Sequence, residues 1–374
     1  MIIGLGIVFF LYLLAIIWML LGIQNLSFFK PKETPLKTTF SIVIPFRNEE
    51  KQLPLLIRSI QHLNYDPNKF EILFVDDASE DRSVSIIKDV LKDTLLTFKI
   101  ISNKRYSNAP KKDAISLAVK KATNAWIITT DADCQVPPDW LLLLDAYITQ
   151  YNPEMVCMPV LFEEADSLLA QFQFLDGLSL QATTKAGFGH GLPLLCNGAN
   201  LAYKRTLFFE VAGYVDNDQY ASGDDVFLME KIKVLYPKKI HYLKTPKATV
   251  ITQSVKSWRE VIQQRIRWAS KTKYQKNKAV TVLGSTVLLA NMGFIASVVL
   301  CFIYPLYGST FLGFILFKIV VDALFLHKEV QFFNKKIQLF LTVINAFIYP
   351  FIMVWVAANS IRGNYNWKGR SFKK

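Results

Sequence analysis

Cysteine and histidine are scarce in this sequence, four of each in 374 residues. Cys134, Cys157, Cys196 and Cys301 are scattered with no C-x-x-C pair, and His62, His190, His241 and His327 have no metal-ligand spacing. That excludes a disulfide framework and a zinc site, and it fits a reducing, cytosolic setting. The chain also lacks internal repeats and low-complexity segments. Gly187-Phe-Gly-His-Gly191 reads as a loop, not a phosphate-binding fingerprint, because its glycines do not follow a strand and open a helix. Acidic residues are outnumbered, 30 Asp and Glu against 43 Lys and Arg, for a net charge of +13.

Long apolar runs are present in quantity. Ile2 to Ile23 carries no charge and is long enough to cross a bilayer, which takes roughly 20 apolar residues. With no basic stretch before it and no small-residue cleavage site after it, it reads as an uncleaved anchor over 1–25, not a signal peptide. Three more apolar stretches, at about 281–304, 309–326 and 337–359, predict a C-terminal membrane region over 279–360 and a basic tail over 361–374. The basic residues sit beside these runs: Lys30, Lys32 and Lys37 after the first, and a dense set between Lys256 and Lys278, with Glu260 the one acid among them, before the second. Charge placed this way marks the cytoplasmic side and binds anionic lipid. Membrane lipids, not nucleic acid, are the expected partner. Three full crossings after a cytosolic domain would put Arg362, Lys368, Arg370, Lys373 and Lys374 outside. Either 337–359, which contains Pro350, is re-entrant or interfacial, or the tail breaks the positive-inside rule. Lys318 and Asp322, one turn apart in an apolar span, read as an ion pair facing the bundle interior.

From about 39 to 160, short apolar strands alternate with amphipathic helices. Strands are expected at Phe40 to Ile44, Phe70 to Val75, Phe98 to Ser102, Ala125 to Thr129 and Met155 to Val160. Helices are expected at Glu50 to Leu63, Ser79 to Leu91 and Lys111 to Ala122. This alternation implies parallel pairing and an α/β layered sheet, with ligands at the carboxyl ends of the strands. Leu168 to Ala186 reads as a helix within a catalytic domain over 39–253. Ser254 to Lys278 reads as a basic amphipathic helix with Trp258 and Trp268, lying in the membrane interface over 254–278.

Acidic residues gather at the predicted strand ends. Strand one ends in Pro45-Phe-Arg-Asn-Glu49, strand two in Asp76-Asp77-Ala-Ser-Glu-Asp81, and strand four in Thr130-Asp131-Ala-Asp133. Ser79 and Asp81 read as caps of the following helix. Asp131 and Asp133 do not: two carboxylates on one side of a loop repel unless a cation lies between them. Oxygen-only ligation selects a hard divalent ion, Mg2+ or Mn2+, bound together with substrate phosphates. Gly223-Asp224-Asp225 opens a helix, where acids complement the dipole. Asp225 can also serve as the general base that takes a proton from an attacking acceptor hydroxyl. Gln264-Arg-Ile-Arg267-Trp268 offers guanidinium for phosphate and a flat face for a sugar ring. Arg259 and Arg265 read equally well as contacts to lipid phosphates.

Taken in order, I-V-I-P-x-x-N-E, D-D-x-S, D-x-D, G-D-D and Q-x-x-R-W resemble the inverting family 2 glycosyltransferases with a GT-A fold. The likeness runs from about residue 40 to 270 and on into the membrane spans. It implies a cytosolic α/β domain with a Rossmann-like, mostly parallel sheet, helices on both faces, and transmembrane helices. It further implies a nucleotide-diphosphate sugar donor, a UDP-sugar, contacted by Pro45, Arg47, Glu49, Asp76 and Asp77, with Lys111 or Lys112 approaching it. Asp131 and Asp133 would hold the sugar nucleotide and the metal. Asp225, beside Asp224, would be catalytic. Gln264, Arg267 and Trp268 would close the donor site and meet the acceptor, with Asn197 and Gly198 on the acceptor side. Two positions depart from the family pattern. Asp224 stands where Glu is commoner, and Ala78 stands where the family has Gly, which puts that loop's geometry in question.

Q-x-x-R-W occurs both in polymerising members and in lipid-modifying ones. The tail Asn366-Trp-Lys-Gly-Arg370 looks more like the lipid-modifying group, and about four spans are few to enclose a polymer channel. The reading is therefore transfer to a lipid-linked or membrane-associated acceptor by a multi-pass membrane protein. The alternative is a processive polysaccharide synthase. A nucleotidyltransferase would not need the Q-x-x-R-W helix, and a transporter with a cytosolic regulatory domain would need more spans and more intramembrane charge.

Overall fold

The computed structural model describes residues 1–32, 35–164, 166–220, 222–272, 274–275, 277–362, 365–367 and 370–372. The elements follow in chain order, beginning with α1 (Ile2–Asn25), β1 (Phe40–Phe46), α2 (Leu53–Gln61), β2 (Phe70–Asp76), α3 (Ser83–Val90), β3 (Thr97–Ser102) and α4 (Pro110–Lys121). Next come β4 (Trp126–Thr129), β5 (Cys134–Gln135), α5 (Trp140–Tyr151), β6 (Met155–Cys157), β7 (Val160–Phe162), α6 (Leu168–Gly189), β8 (Leu201–Lys204) and α7 (Arg205–Glu210). The chain ends with α8 (Asp224–Leu235), β9 (Ile240–Tyr242), β10 (Val250–Thr252), α9 (Trp258–Thr272), α10 (Lys278–Ile303), α11 (Gly308–Phe332), α12 (Leu339–Arg362), β11 (Tyr365–Trp367) and β12 (Arg370–Phe372). The chain forms two compact units. An α/β unit comprises Ser27–Phe162 and Leu195–Gln253, and a helical unit comprises Met1–Leu26, Glu163–Leu194 and Ser254–Lys374.

In the α/β unit a seven-stranded sheet runs β3-β2-β1-β4-β8-β6-β9. β1 to β4 are mutually parallel, β8 is antiparallel to both β4 and β6, and β6 pairs parallel with β9. β1 and β2 are buried along nearly their whole length. Helices cover both faces of such a sheet, so its central strands read as continuous apolar runs. Phe46 pairs with Asp76 and Asp76 with Ser102, so three strands finish level at one edge. β4 stops earlier, with Thr129 opposite Val43, which leaves room for the loop 130–133. A three-stranded sheet, β5-β10-β7, braces that loop, and the Gln253 amide donates to the Asp133 carbonyl at 3.3 Å.

Several boundaries differ from the sequence expectation. The strand expected at 155–160 is two strands in different sheets, broken at Pro159, which has no N–H for a ladder. α2 begins at Leu53, because Pro54 suits a first helical turn and 49–52 form a turn of their own. α3 begins at Ser83, because Ser79 and Asp81 are engaged with the amides of Asn48 and Glu50 in the neighbouring loop. α6 continues through Gly187 and Gly189, which had read as loop. A Cβ on Gly189 would stand 1.7 Å from the Gly22 carbonyl oxygen, so the pair allows α1 and α6 to touch backbone to backbone. α6 also groups with the apolar helices, not with the segment 39–253 in which the sequence placed it.

Among the described residues of the helical unit, four helices are long and apolar enough to cross a membrane: Ile2–Asn25, Lys278–Ile303, Pro305–Phe332 and Leu339–Ile361. α12 runs as one helix through Pro350. Charged groups inside this unit are paired. Lys185 lies 2.5 Å from Glu329, and Arg265 lies 2.5 Å from Asp176. Lys318 lies 2.7 Å from Asp322, which also accepts the Tyr12 hydroxyl. α9 is shorter than the predicted 254–278 helix. It starts with a Ser257–Glu260 capping box, in which the Ser257 amide donates to Glu260 at 3.0 Å and the Glu260 amide donates to the Ser257 hydroxyl at 3.3 Å. Part of the basic tail, including Lys368, Lys373 and Lys374, lies outside the described residues.

Candidate active site

The level edge of β1, β2 and β3 carries the first cluster. Asp76, the last residue of β2, accepts the Ser79 amide at 2.9 Å, which turns the chain sharply. Asp77 is buried, and its carboxylate accepts from Asn103 Nδ2 at 2.9 Å and Arg105 Nε at 2.7 Å. Arg47 donates to the Asp77 carbonyl at 2.9 Å, to the Ala78 carbonyl, and to Glu80 at 2.8 Å. Ala78 has φ +57°, in the left-handed region that glycine adopts without steric cost. The loop therefore keeps the glycine-type conformation with a side chain present. The Glu49 amide is held by the Ser83 hydroxyl at 2.8 Å, and Pro45 stands in β1 opposite Val75. Asp81 accepts the Glu50 and Ser83 amides, each at 3.0 Å, and Ser79 accepts the Asn48 amide at 3.0 Å, so the two tie this loop to the 48–50 segment; the N-cap residue of α3 is Arg82, with no side-chain cap bond.

The second cluster joins three distant segments. Lys111, in the first turn of α4, sets its Nζ 2.7 Å from Asp131 Oδ1 and 3.3 Å from Asp224 Oδ2. Burial pulls this ammonium down, but the neighbouring Asp131 and Asp224 outweigh it and hold its pKa well above the ordinary lysine value. Gly223, with φ +86°, turns the chain into α8 and delivers Asp224 and Asp225 to its first turn. Asp225 is buried. Its Oδ2 accepts the Gly198 amide at 3.3 Å and its Oδ1 accepts the Val226 amide at 2.7 Å. The Thr129 hydroxyl donates to the Gly198 carbonyl at 2.6 Å, and a Cβ on Gly198 would stand 2.7 Å from Asp224 Oδ2. Gly198 is thus clamped against both acids. Asn197 accepts the Ala199 amide at 3.0 Å, shaping the turn that presents it.

Lys112 does not share the role of Lys111. Neighbours on a helix point about 100° apart, and Lys112 is 1% exposed. Its Nζ donates to the Asn217 carbonyl at 2.7 Å and the Tyr220 carbonyl at 2.8 Å, over the ring of Phe227. It anchors the 217–220 segment.

Cys134, in β5, is buried. Burial first, then Asp133 and Asp131, push its pKa well up. Among the described residues no three His, Cys, Asp or Glu side chains gather to hold a metal ion. Asp131 and Asp133 nevertheless fit Mg2+ or Mn2+, which take one or two protein carboxylates and draw their other oxygens from substrate phosphates and water.

Gln264, Arg267 and Trp268 lie on α9, in the helical unit. Arg265, which read as a lipid contact, is 5% exposed and paired with Asp176, with Trp268 over its guanidinium at 4.3 Å. Arg259 is exposed.

One positioning residue had no sequence signal: Arg105 clamps the Asp77 loop from outside any motif. Asn200, which closes the acceptor-side segment Cys196–Asn200, is fully buried; it donates to the Pro159 and Ala248 carbonyls at 2.8 and 2.9 Å and accepts from Trp140 Nε1 at 2.8 Å, fixing the turn that carries Gly198.

The chain is similar to known proteins along most of its length. The family profile described as Glycosyl transferase family 2 matches residues 41–205, and that described as Glycosyl transferase family group 2 matches residues 126–356, well over half the chain. One relative is the undecaprenyl-phosphate 4-deoxy-4-formamido-L-arabinose transferase of Pectobacterium carotovorum. It is 34% identical over 112 residues, covering 29% of this chain and 33% of that protein. The chain thus matches about a third of that relative's length. The probable glycosyltransferase YdaM of Bacillus subtilis is 23% identical over 239 residues, covering 63% of this chain and 55% of that protein. Among solved structures, the mannosyltransferase PcManGT of Pyrobaculum calidifontis, in complex with GDP-Man and Mn2+, superposes with a TM-score of 0.55. It is 15% identical and covers 96% of this chain and 97% of that one, so the two share a fold. The chain belongs to the family 2 glycosyltransferases.

Proposed function

We propose that this protein transfers a sugar from a nucleotide-diphosphate donor, with inversion, onto a lipid-linked or membrane-associated acceptor at the cytosolic face of a membrane. The observation that carries the reading is the convergence of Asp131, Asp224 and Asp225 around Lys111 and Gly198. The loop 76–78, held by Arg47 and Arg105, is the nucleotide end of the site, and Asp76 there accepts from ribose or base. Lys111 faces the diphosphate, where a positive charge favours the departing anion. Asp133 and Asp131 would hold Mg2+ or Mn2+, which supplies further charge for that leaving group when bound.

Asp225 is the general base. Its carboxylate takes the acceptor hydroxyl proton as that oxygen attacks the anomeric carbon, and the clamp on Gly198 and Val226 fixes its orientation. Asp224 positions Lys111 and borders the acceptor. By the family resemblance alone, the Q-x-x-R-W residues Gln264, Arg267 and Trp268 are assigned to the diphosphate and acceptor, and the four apolar helices keep the enzyme at the membrane as a multi-pass protein. The relative that acts on undecaprenyl phosphate supports a lipid-linked acceptor, and the mannosyltransferase with GDP-Man and Mn2+ supports a nucleotide-sugar donor and a divalent ion.

The test is to incubate membranes carrying the protein with a panel of radiolabelled nucleotide sugars, then extract with organic solvent. Label in the organic phase is the expected result, and label in an insoluble polymer would favour the processive synthase. Asp225→Asn should still bind the donor and transfer nothing. Undiminished transfer by that variant places the base elsewhere, and no transfer from any donor by the native protein removes the proposal.

A further inference from the structure

Lys111 and a divalent ion make competing demands on one carboxylate. The ammonium already holds Asp131 Oδ1 at 2.7 Å, and its second contact, 3.3 Å from Asp224 Oδ2, keeps it there. Asp224 in turn is backed by Gly198, whose amide and carbonyl are both engaged, so the lysine sits on a braced partner. Only 19% of the Lys111 side chain is exposed, which limits screening by water. An ion that binds Asp131 needs oxygen at about 2.0–2.1 Å if it is Mg2+. A metal and an ammonium on the same carboxylate repel each other strongly at such range and low exposure. A nucleoside diphosphate relieves the conflict, since its phosphate oxygens can accept from Lys111 and ligate the metal together.

We propose that Lys111 is a resident counter-cation that makes divalent-ion binding at Asp131 and Asp133 conditional on the nucleoside diphosphate. This rests on the reading of that carboxylate pair as the metal site. Without nucleotide, Lys111 neutralises Asp131 and the ion binds weakly. With nucleotide, the lysine turns to the diphosphate and Asp131 is released to the metal. Lys111 is then a positioning residue whose role is order of binding as well as charge.

The experiment is titration of the full-length protein in detergent micelles with Mn2+, followed by loss of the free-ion EPR signal, alone and with UDP or GDP. Native protein should bind Mn2+ roughly 5- to 150-fold more tightly with nucleotide than without, the usual span of coupling between sites. Lys111→Gln should bind Mn2+ alone more tightly by a similar factor and lose most of the coupling. Asp133→Asn should bind no Mn2+ in either condition. If Asp133→Asn binds like native protein, the metal site lies elsewhere and both readings fall. If Asp133→Asn loses the ion while Lys111→Gln without nucleotide is no tighter than native, the metal site stands and the counter-cation does not.

A measurement on native protein guards against a variant that misfolds. Saturating Mn2+ should displace Lys111 and raise its labelling by an amine-reactive reagent, read by peptide mass spectrometry. Unchanged labelling overturns the proposal.

Discussion

Gly198→Ala isolates the central geometry with one methyl group. The added Cβ would lie 2.7 Å from Asp224 Oδ2 and 3.5 Å from Lys111 Nζ. Ordinary contact begins near 3.4 Å, so the carboxylate or the 197–200 turn must yield by about 0.7 Å. Neither yields easily. Asp224 is ion-paired with Lys111, and the Gly198 amide and carbonyl are bonded to Asp225 and Thr129. The backbone at 198 is not in the left-handed region, so alanine adds no torsional strain of its own. Overpacking of this kind costs about 1–3 kcal/mol of stability. Displacements approaching 1 Å at a catalytic group cost on the order of 100-fold in rate. The variant should therefore fold, melt a few degrees lower, and show kcat reduced roughly 10- to 100-fold with a smaller change in donor KM. The assay is initial-rate transfer in detergent beside a thermal melt. Native kcat and native melting would refute the claim that Gly198 is wedged against the catalytic acids.

Other substitutions reach different parts of the account. Ala78→Gly removes a left-handed alanine and should raise stability by about 0.5–1 kcal/mol with activity retained, the relief of strain exceeding the entropy that glycine adds to the unfolded chain. A lower melting temperature would contradict the φ assigned there. Arg265→Ala leaves Asp176 buried with its ion pair broken and should cost about 3–5 kcal/mol, whereas Arg259→Ala on the exposed side of the same helix should cost under about 0.5 kcal/mol. Equal effects in a melt of the purified protein would return Arg265 to the membrane surface. Asp133→Asn should abolish transfer at every Mn2+ concentration without changing the melt of the metal-free protein, and native rates would remove the metal reading.

The βαβ alternation from 40 to 129 was legible because buried parallel strands are unbroken apolar runs and their helices have one apolar face. The acids at strand ends were legible because Asp76 and Asp131 directly follow such runs, and Gly223 announces the start of α8. Other features left no local trace. β5, β7 and β10 are two or three residues long, too short to show a period. Lys111 and Lys112 are indistinguishable until the helix turns one towards Asp131 and the other into the core. Arg265 looked like a lipid contact because its partner, Asp176, is far away in sequence. α6 looked like part of the soluble region because it carries Gln171, Gln173, Asp176, Gln181 and Lys185, yet all five are buried in the helical unit. Polar residues that satisfy one another inside an apolar bundle have the composition of a surface helix, and only the packing separates the two.

The account depends on one cleft in which Lys111, the 131–133 loop and the start of α8 meet a diphosphate. The most direct measurement is a cryo-EM map of the full-length protein with a nucleotide sugar and Mn2+. The diphosphate should lie within hydrogen-bond reach of Lys111, with Asp133 on the ion and Asp225 facing the anomeric carbon. Nucleotide bound away from Lys111, or Asp133 and Asp225 opening onto different surfaces, would contradict it.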